Sequence, residues 1–447
     1  MNQSEGHGDA ADQVRRRFIG KLTLLISGGM FIDGFILGGI GVVMPAISSD
    51  LSLSVEWQGL IGAAALIGIF FGGPLGGYLA DRIGRRPMFT IDLLIFFCGS
   101  IAQFFVDDPW QLFGVRVLMG VAIGADYAIG WPLLAEFSPA RMRGRLLVVQ
   151  EAAWYVGFLV AYALGWVITV SDSANWNVIL GLSTVPTVIV MLLRLGTPES
   201  PRWLVSRGRR DEAIAIAERY MEREEQLDLY RPSPGGALGF GRLFSRQYLR
   251  ATVFVSVYWV CNTTPYFAIG TFAPTVLQHL GVQDGLTGGL ALNLLACLGA
   301  IATVFLIERW GRRRLSIAPL YIAAVALTVV AVTPASMPIV LVAALLAFYF
   351  VSAISSTLTG VFPTEVFPTE IRGTGVGFAT AMSRVGAAVA TFLFPVALEW
   401  YGTSVTLLIG AAICLFGAVI TQWLAPETTG KLLSQTAVPA AQSTGTP

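Results

Sequence analysis

Six ionisable side chains fall inside otherwise apolar stretches of this 447-residue chain: Asp33, Asp92, Arg116, Asp126, Glu151 and Arg384. An ionised group at mid-bilayer costs at least about 2.5–3.5 kcal/mol, so one kept there is expected to pair, to carry protons or to meet a substrate. Burial favours a protonated carboxyl and a neighbouring guanidinium favours the ionised one, so an arginine moving relative to an acid switches its proton affinity. Arg384 is the one charged residue of its stretch and offers a fork for a carboxylate. Catalytic chemistry finds little support. His7 and His279 are the only histidines, no Ser-His-Asp grouping occurs, and Gly72-Gly73-Pro74-Leu75-Gly76-Gly77 lacks the lysine of a phosphate loop. Cys98, Cys261, Cys297 and Cys414 all lie in apolar runs, which argues against a disulfide framework or a zinc site. No enzyme, metal or cofactor is expected.

The elements that hold these groups are membrane helices. The chain is 55% hydrophobic and 13% charged, against about 25% charged in soluble proteins. Forty-nine glycines and 22 prolines suit closely packed, kinked helices in lipid. A span needs about 20 apolar residues, and twelve such stretches follow one another: 18–47, 57–80, 88–106, 111–136, 146–170, 176–196, 251–278, 286–307, 315–333, 337–362, 373–398 and 403–425. Alternate connectors carry the arginines, among them Arg15 to Arg17, Arg82, Arg85, Arg86, Arg141, Arg143, Arg145, Arg309 and Arg312 to Arg314. The other six contain no Lys or Arg and carry acids such as Asp50, Glu56, Asp107, Asp108 and Asp284. By the positive-inside rule both termini are cytoplasmic in a multi-pass inner or plasma membrane protein. The domain reading is a tail (1–17), a six-helix half (18–196), a linker of short charged helices (197–250), a second half (251–425) and a tail (426–447). A net charge of +1 gives no pull toward nucleic acid.

The halves repeat one plan. Asp81-Arg82-Ile83-Gly84-Arg85-Arg86 returns 227 positions later as Glu308-Arg309-Trp310-Gly311-Arg312-Arg313. Glu136 and Arg143 return after 229 as Glu365 and Arg372. Pro198-Glu199-Ser200-Pro201-Arg202 returns after 228 as Pro426-Glu427-Thr428-Thr429-Gly430-Lys431. Two halves related along the membrane normal suit rocking about a central site.

From Asp33 to Lys431 these motifs resemble the major facilitator superfamily and its sugar-porter-like branch. The resemblance implies an all-α, twelve-helix, two-half alternating-access carrier. It implies a conformational latch of Asp81, Arg85, Glu136 and Arg143 with Glu308, Arg312, Glu365 and Arg372. It also implies a proton-coupling pair of Asp33, in Phe31-Ile32-Asp33-Gly34-Phe35, and Arg116, which opens a stripe with Gly120 and Gly124. A static buried salt bridge between the two helices is the plainer alternative. Gly124-Ala125-Asp126-Tyr127 resembles a segment of phosphate and organic-anion carriers, making Asp126 a second proton site, a substrate contact or a carboxyl bonded to a neighbouring helix. Asp92, near the start of its span, reads as structural.

Substrate residues depart from the sugar-porter pattern. Glu151 stands where a glutamine is typical, Cys261-Asn262-Thr263-Thr264-Pro265-Tyr266 replaces a Gln-Gln pair, and Met382-Ser383-Arg384 replaces Trp and Asn. Glu151, Arg384, Asn262, Tyr266, Trp154 and Trp259 are therefore the substrate candidates, with Phe267 and Phe272 as further aromatic wall; Arg384 could instead partner Glu151 or Asp33. This resembles carriers of small organic acids, nicotinate-type carriers included. The expected function is proton-coupled import of a small polar metabolite, a carboxylated one slightly favoured, by a monomer in the lipid bilayer. A sugar or polyol symporter, an efflux antiporter and a non-transporting solute sensor are the rivals.

Overall fold

The computed structural model describes residues 2–171, 175–194, 197–229, 240–271, 276–277, 285–334 and 336–436. Among these the chain is helical, with no strand. The first half contains α1 (Asn2–Asp50), α2 (Val55–Ile83), α3 (Arg85–Ala102), α4 (Pro109–Phe137), α5 (Arg143–Ser171) and α6 (Trp176–Leu193). The second contains α7 (Leu249–Thr271), α8 (Gly285–Trp310), α9 (Arg312–Val332), α10 (Pro338–Val366), α11 (Thr369–Phe394) and α12 (Trp400–Leu424).

Eleven of these twelve are long and apolar enough to cross a membrane. The exception, α7, carries the polar run Cys261-Asn262-Thr263-Thr264 at its centre. Expected span 251–278 runs beyond Thr271, and Phe272 lies outside the described residues, as does Asp284. Residues 2–17, read from their polarity as a tail, continue α1. The linker holds the short helices Pro201–Ser206, Arg210–Tyr220 and Arg223–Leu229. Phe71, Phe105, Phe305, Phe392 and Trp423 are more than half exposed on the outside of the bundle; such apolar surface belongs against hydrocarbon.

Local sequence explains the breaks. Asp108 caps α4 by accepting from the Trp110 and Gln111 amides at 2.6 and 3.2 Å, and Pro109 follows at the first helical position. Gly84 (φ 109°) and Gly311 (φ 78°) separate α2 from α3 and α8 from α9 at equivalent places in the two halves. Beside each sits a carboxylate from the end of its own half: Glu199 accepts from the Arg85 and Arg86 amides, Glu427 from those of Arg312 and Arg313. A negative group at a helix N-terminus satisfies unpaired N–H groups and opposes the dipole.

Small residues let backbones meet, which drives helix association in lipid. Gly34 abuts the Trp154 and Phe158 backbone where α1 meets α5, and Gly120 and Gly124 abut α2. The halves join along α2–α11 and α5–α8. At the first seam a Cβ on Gly73 would stand 2.8 Å from the Gly377 carbonyl oxygen. The linker, both described termini and the arginine-rich turns share one end, here the basic end: Phe18 of α1 stacks on Tyr220 of the linker at 4.0 Å, and Arg143 meets the Lys431 carbonyl.

Candidate functional site

At the basic end, Arg85 turns back one helical turn so that its Nη1 lies 2.6 Å from Asp81 Oδ1. In the second half Arg312 Nη1 lies 2.7 Å from Glu308 Oε2. Both guanidiniums are wholly buried, and each reaches a buried glutamate at 3.5 Å: Glu136 for Arg85, Glu365 for Arg312. The hydroxyls of Ser200 and Thr428 donate to those glutamates. The network then crosses between halves. Arg372 Nη1 lies 2.7 Å from Glu136 Oε1. Asp81 accepts from the Thr374 amide (2.8 Å), the Thr374 hydroxyl (2.7 Å) and the Gly373 amide (3.3 Å), while Glu308 accepts from the Arg145 amide at 2.9 Å. Asp81, Arg85, Glu136 and Arg372 are thus joined in one cluster, and Glu308, Arg312 and Glu365 in a second. Arg143, the counterpart of Arg372, departs from the symmetry: its Nη1 donates to the Lys431 carbonyl at 2.9 Å rather than forming an ion pair with Glu365. The basic end is closed.

A pocket lies between the halves. Glu151 and Trp154 of α5 face it from one side, Trp259 and Tyr266 of α7 and Arg384 of α11 from the other. Rings interlock across the gap: Trp131 to Trp259 at 5.5 Å, Tyr155 to Tyr266 at 6.2 Å, Trp154 to Phe267 at 6.4 Å. The Arg384 guanidinium carbon stands 5.2 Å from the Phe267 ring centre and 5.8 Å from that of Tyr127, a cation–π arrangement. Arg384 Nε and Nη1, Glu151 Oε2 and Trp154 Nε1 are buried without hydrogen-bond partners. Glu151 and Asp33 act on Arg384 through space without bonding to it. Asn262 is buried on α7 with its amide unpartnered but does not border the cavity.

Asp33 and Arg116 are wholly buried and separate. Neither has a hydrogen-bond or ion-pair partner. Contacts between α1 and α4 (Gly29 against Asp126, Gly130 against Ile26) set an antiparallel register. That register places Asp33 level with residue 122, about 9 Å along the axis from Arg116. In this conformation the two are not a salt bridge. Asp126 instead lies beside Asp92 and within electrostatic reach of Asp33. Asp92, near the start of α3, is 1% exposed and does not reach for water.

The sequence reading missed Tyr127, Trp131 and Tyr155 as cavity walls. The signal was present: Tyr127 and Trp131 are four apart on α4, as are Glu151 and Tyr155 on α5, so each pair shares a helix face. What could not be read was which face turns inward.

Residues 20–438 match the family profile described as sugar (and other) transporter. The inner membrane metabolite transport protein YgcS of Escherichia coli is 39% identical over 438 residues, covering 96% of this chain and 95% of that protein. The niacin transporter NiaP of Acinetobacter baylyi is 26% identical, covering 95% and 99%. The proton:xylose symporter XylE of Escherichia coli, bound to 6-bromo-6-deoxy-D-glucose, superposes with a TM-score of 0.84 at 21% identity, covering 94% of this chain and 99% of that one. With its twelve helices in two repeated halves closing on a central cavity, the chain belongs to the sugar (and other) transporter family of the major facilitator superfamily, a multi-pass membrane transporter of small molecules.

Proposed function

We propose that the protein imports a small carboxylated metabolite together with protons, by alternating access across the inner membrane, with the basic end and both termini in the cytoplasm. The observation that carries this is Arg384: a buried guanidinium at the central cavity, flanked by two rings, with Nε and Nη1 unpartnered. An unpaired buried charge costs several kcal/mol, and a substrate carboxylate would offset that cost with bidentate, charge-assisted hydrogen bonds. The aromatic seam suits a flat or apolar remainder of the ligand, and niacin, the cargo named for the relative NiaP, is such an acid. Asp33 and Asp126 supply buried carboxyls for protons. A monoanion entering with one proton moves no net charge and is driven by the pH gradient alone; with a second proton, 100 mV releases about 2.3 kcal/mol, enough for roughly 50-fold accumulation.

A sugar or polyol symporter is the second reading, favoured by the XylE-like fold and by the unpartnered Glu151 Oε2 at the cavity, which could meet a hydroxyl. A thermal-shift screen of the purified protein against nicotinate, benzoate, succinate, xylose and myo-inositol separates the two, because a ligand that binds only the folded state raises the melting temperature. Stabilisation by acids and not by xylose or myo-inositol supports the carboxylate reading; the reverse pattern overturns it.

A further inference from the structure

Behind the cavity, inside the first half, Asp92 of α3 and Asp126 of α4 lie side by side within hydrogen-bonding reach, each 1% exposed. No backbone or other side-chain donor reaches either oxygen of Asp126. Asp92 Oδ1 accepts only from the Leu93 amide, at 2.9 Å, and Oδ2 has no donor. α1 covers the pair with Gly29, where a Cβ would stand 2.7 Å from Asp126 Oδ2. Two charged groups from other helices face it. Arg194, at the end of α6, places Nη1 3.9 Å from Asp92 Oδ1 while donating to the Phe89 carbonyl at 2.9 Å, and its Nη2 is unpartnered. Asp33 approaches from α1.

The charges in this interior do not balance. Asp92, Asp126, Asp33 and Glu151 face only two guanidiniums, Arg194 and Arg384, because Arg116 stands apart. Two ionised carboxylates in contact, in a dry site with no donors, are untenable; two carboxyls sharing a site hold a proton between them. The one hydrogen that can lie between Asp92 and Asp126 is an acid proton of the pair itself. With that proton the Asp92–Asp126–Arg194 trio is neutral.

We propose that Asp92 and Asp126 share one exchangeable proton and form a second protonation site, separate from Asp33, with Arg194 as its counter-charge. The O–H of one carboxyl donates to the ionised oxygen of the other. Loss of H⁺ leaves the trio with one negative charge, and uptake of H⁺ restores neutrality. Its use in transport rests on the proton-coupled reading above. A carrier that emptied both sites in each cycle would move net positive charge even with a monoanion.

Infrared spectroscopy of the purified protein tests the pair without any substrate. The wild type should show a carboxylic-acid C=O band that shifts in D₂O. Asp92→Asn and Asp126→Asn should each abolish the same band, and the double variant should remove no more, since the proton belongs to the pair. Asp33→Asn should leave that band in place. Persistence of the band in both single variants, or additive loss in the double, overturns sharing. Arg194→Gln is a second probe: without the counter-charge, neutrality requires two protons, so the pair's band should roughly double; an unchanged band refutes the role of Arg194. These results stand apart from the transport reading, which the ligand screen decides by itself.

Discussion

Arg372→Gln tests whether the network at the basic end sets the conformational balance. Arg372 of α11 reaches across to Glu136 of α4 at 2.7 Å, and both side chains are almost wholly buried. Glu136 keeps Arg85 at 3.5 Å and the Ser200 hydroxyl, both from its own half. The substitution therefore removes one charge-assisted bond between halves without stranding the glutamate. Such a bond is worth about 1.5–3 kcal/mol. Once the halves part at this end the bond is already broken, so the whole loss falls on the closed state. At 1.36 kcal/mol per decade, the closed-to-open ratio should drop by about 10- to 160-fold. Spin labels at Arg86→Cys and Arg314→Cys, exposed positions on opposite halves, in a background lacking the four native cysteines, read this directly by pulsed electron resonance. The longer-distance population should grow on adding Arg372→Gln. A distance distribution indistinguishable from the parent would refute the reasoning, because the bond would then contribute nothing to closure.

Three further outcomes follow from the geometry. Arg384→Gln should weaken binding of an acidic ligand by at least about 10- to 160-fold, the worth of a single charge-assisted bond, with neutral ligands little changed; calorimetric titration with whichever acid the thermal screen identifies checks it. Asp33→Asn should bring uphill uptake into proteoliposomes from tens-fold accumulation down to equilibration while exchange of preloaded substrate continues, and full accumulation would remove Asp33 from the mechanism. Glu427 reports on pH outside the membrane. Burial pushes its carboxyl up, but hydrogen bonds from Thr429 and from the Arg312 and Arg313 amides outweigh this and hold it below the ordinary glutamate value. A depressed carboxyl stabilises the fold above its unfolded pKa, and the contribution disappears as pH falls through the folded value. The protection factors of the Arg312 and Arg313 amides, corrected for the intrinsic slowing of exchange in acid, should therefore fall on acidification below the usual glutamate range, and Glu427→Gln should abolish that pH dependence.

Much of this architecture was legible before any coordinates. Apolar length and alternating arginine-rich connectors define the spans because a bilayer admits few alternatives. The repeat predicted that Asp81, Arg85 and Glu136 have counterparts in Glu308, Arg312 and Glu365, and the arginine distances agree between halves. The Asp81–Arg85 and Glu308–Arg312 contacts are i,i+4 pairs beside Gly84 and Gly311, which sequence spacing gives directly, while those to Glu136 and Glu365 follow from the repeat and the packing of distant helices. Pairing between distant helices was another matter. Arg116 reads as the partner of Asp33, yet the α1–α4 register holds them apart, and register depends on which glycines nest against which backbone. Asp92 reads as a group near a span's end; only the packing of α3 on α4 puts it against Asp126. Which face of α4 carries Tyr127 and Trp131 into the cavity was likewise decided by neighbours on every side, since a helix apolar all round has no sequence mark of its inner face.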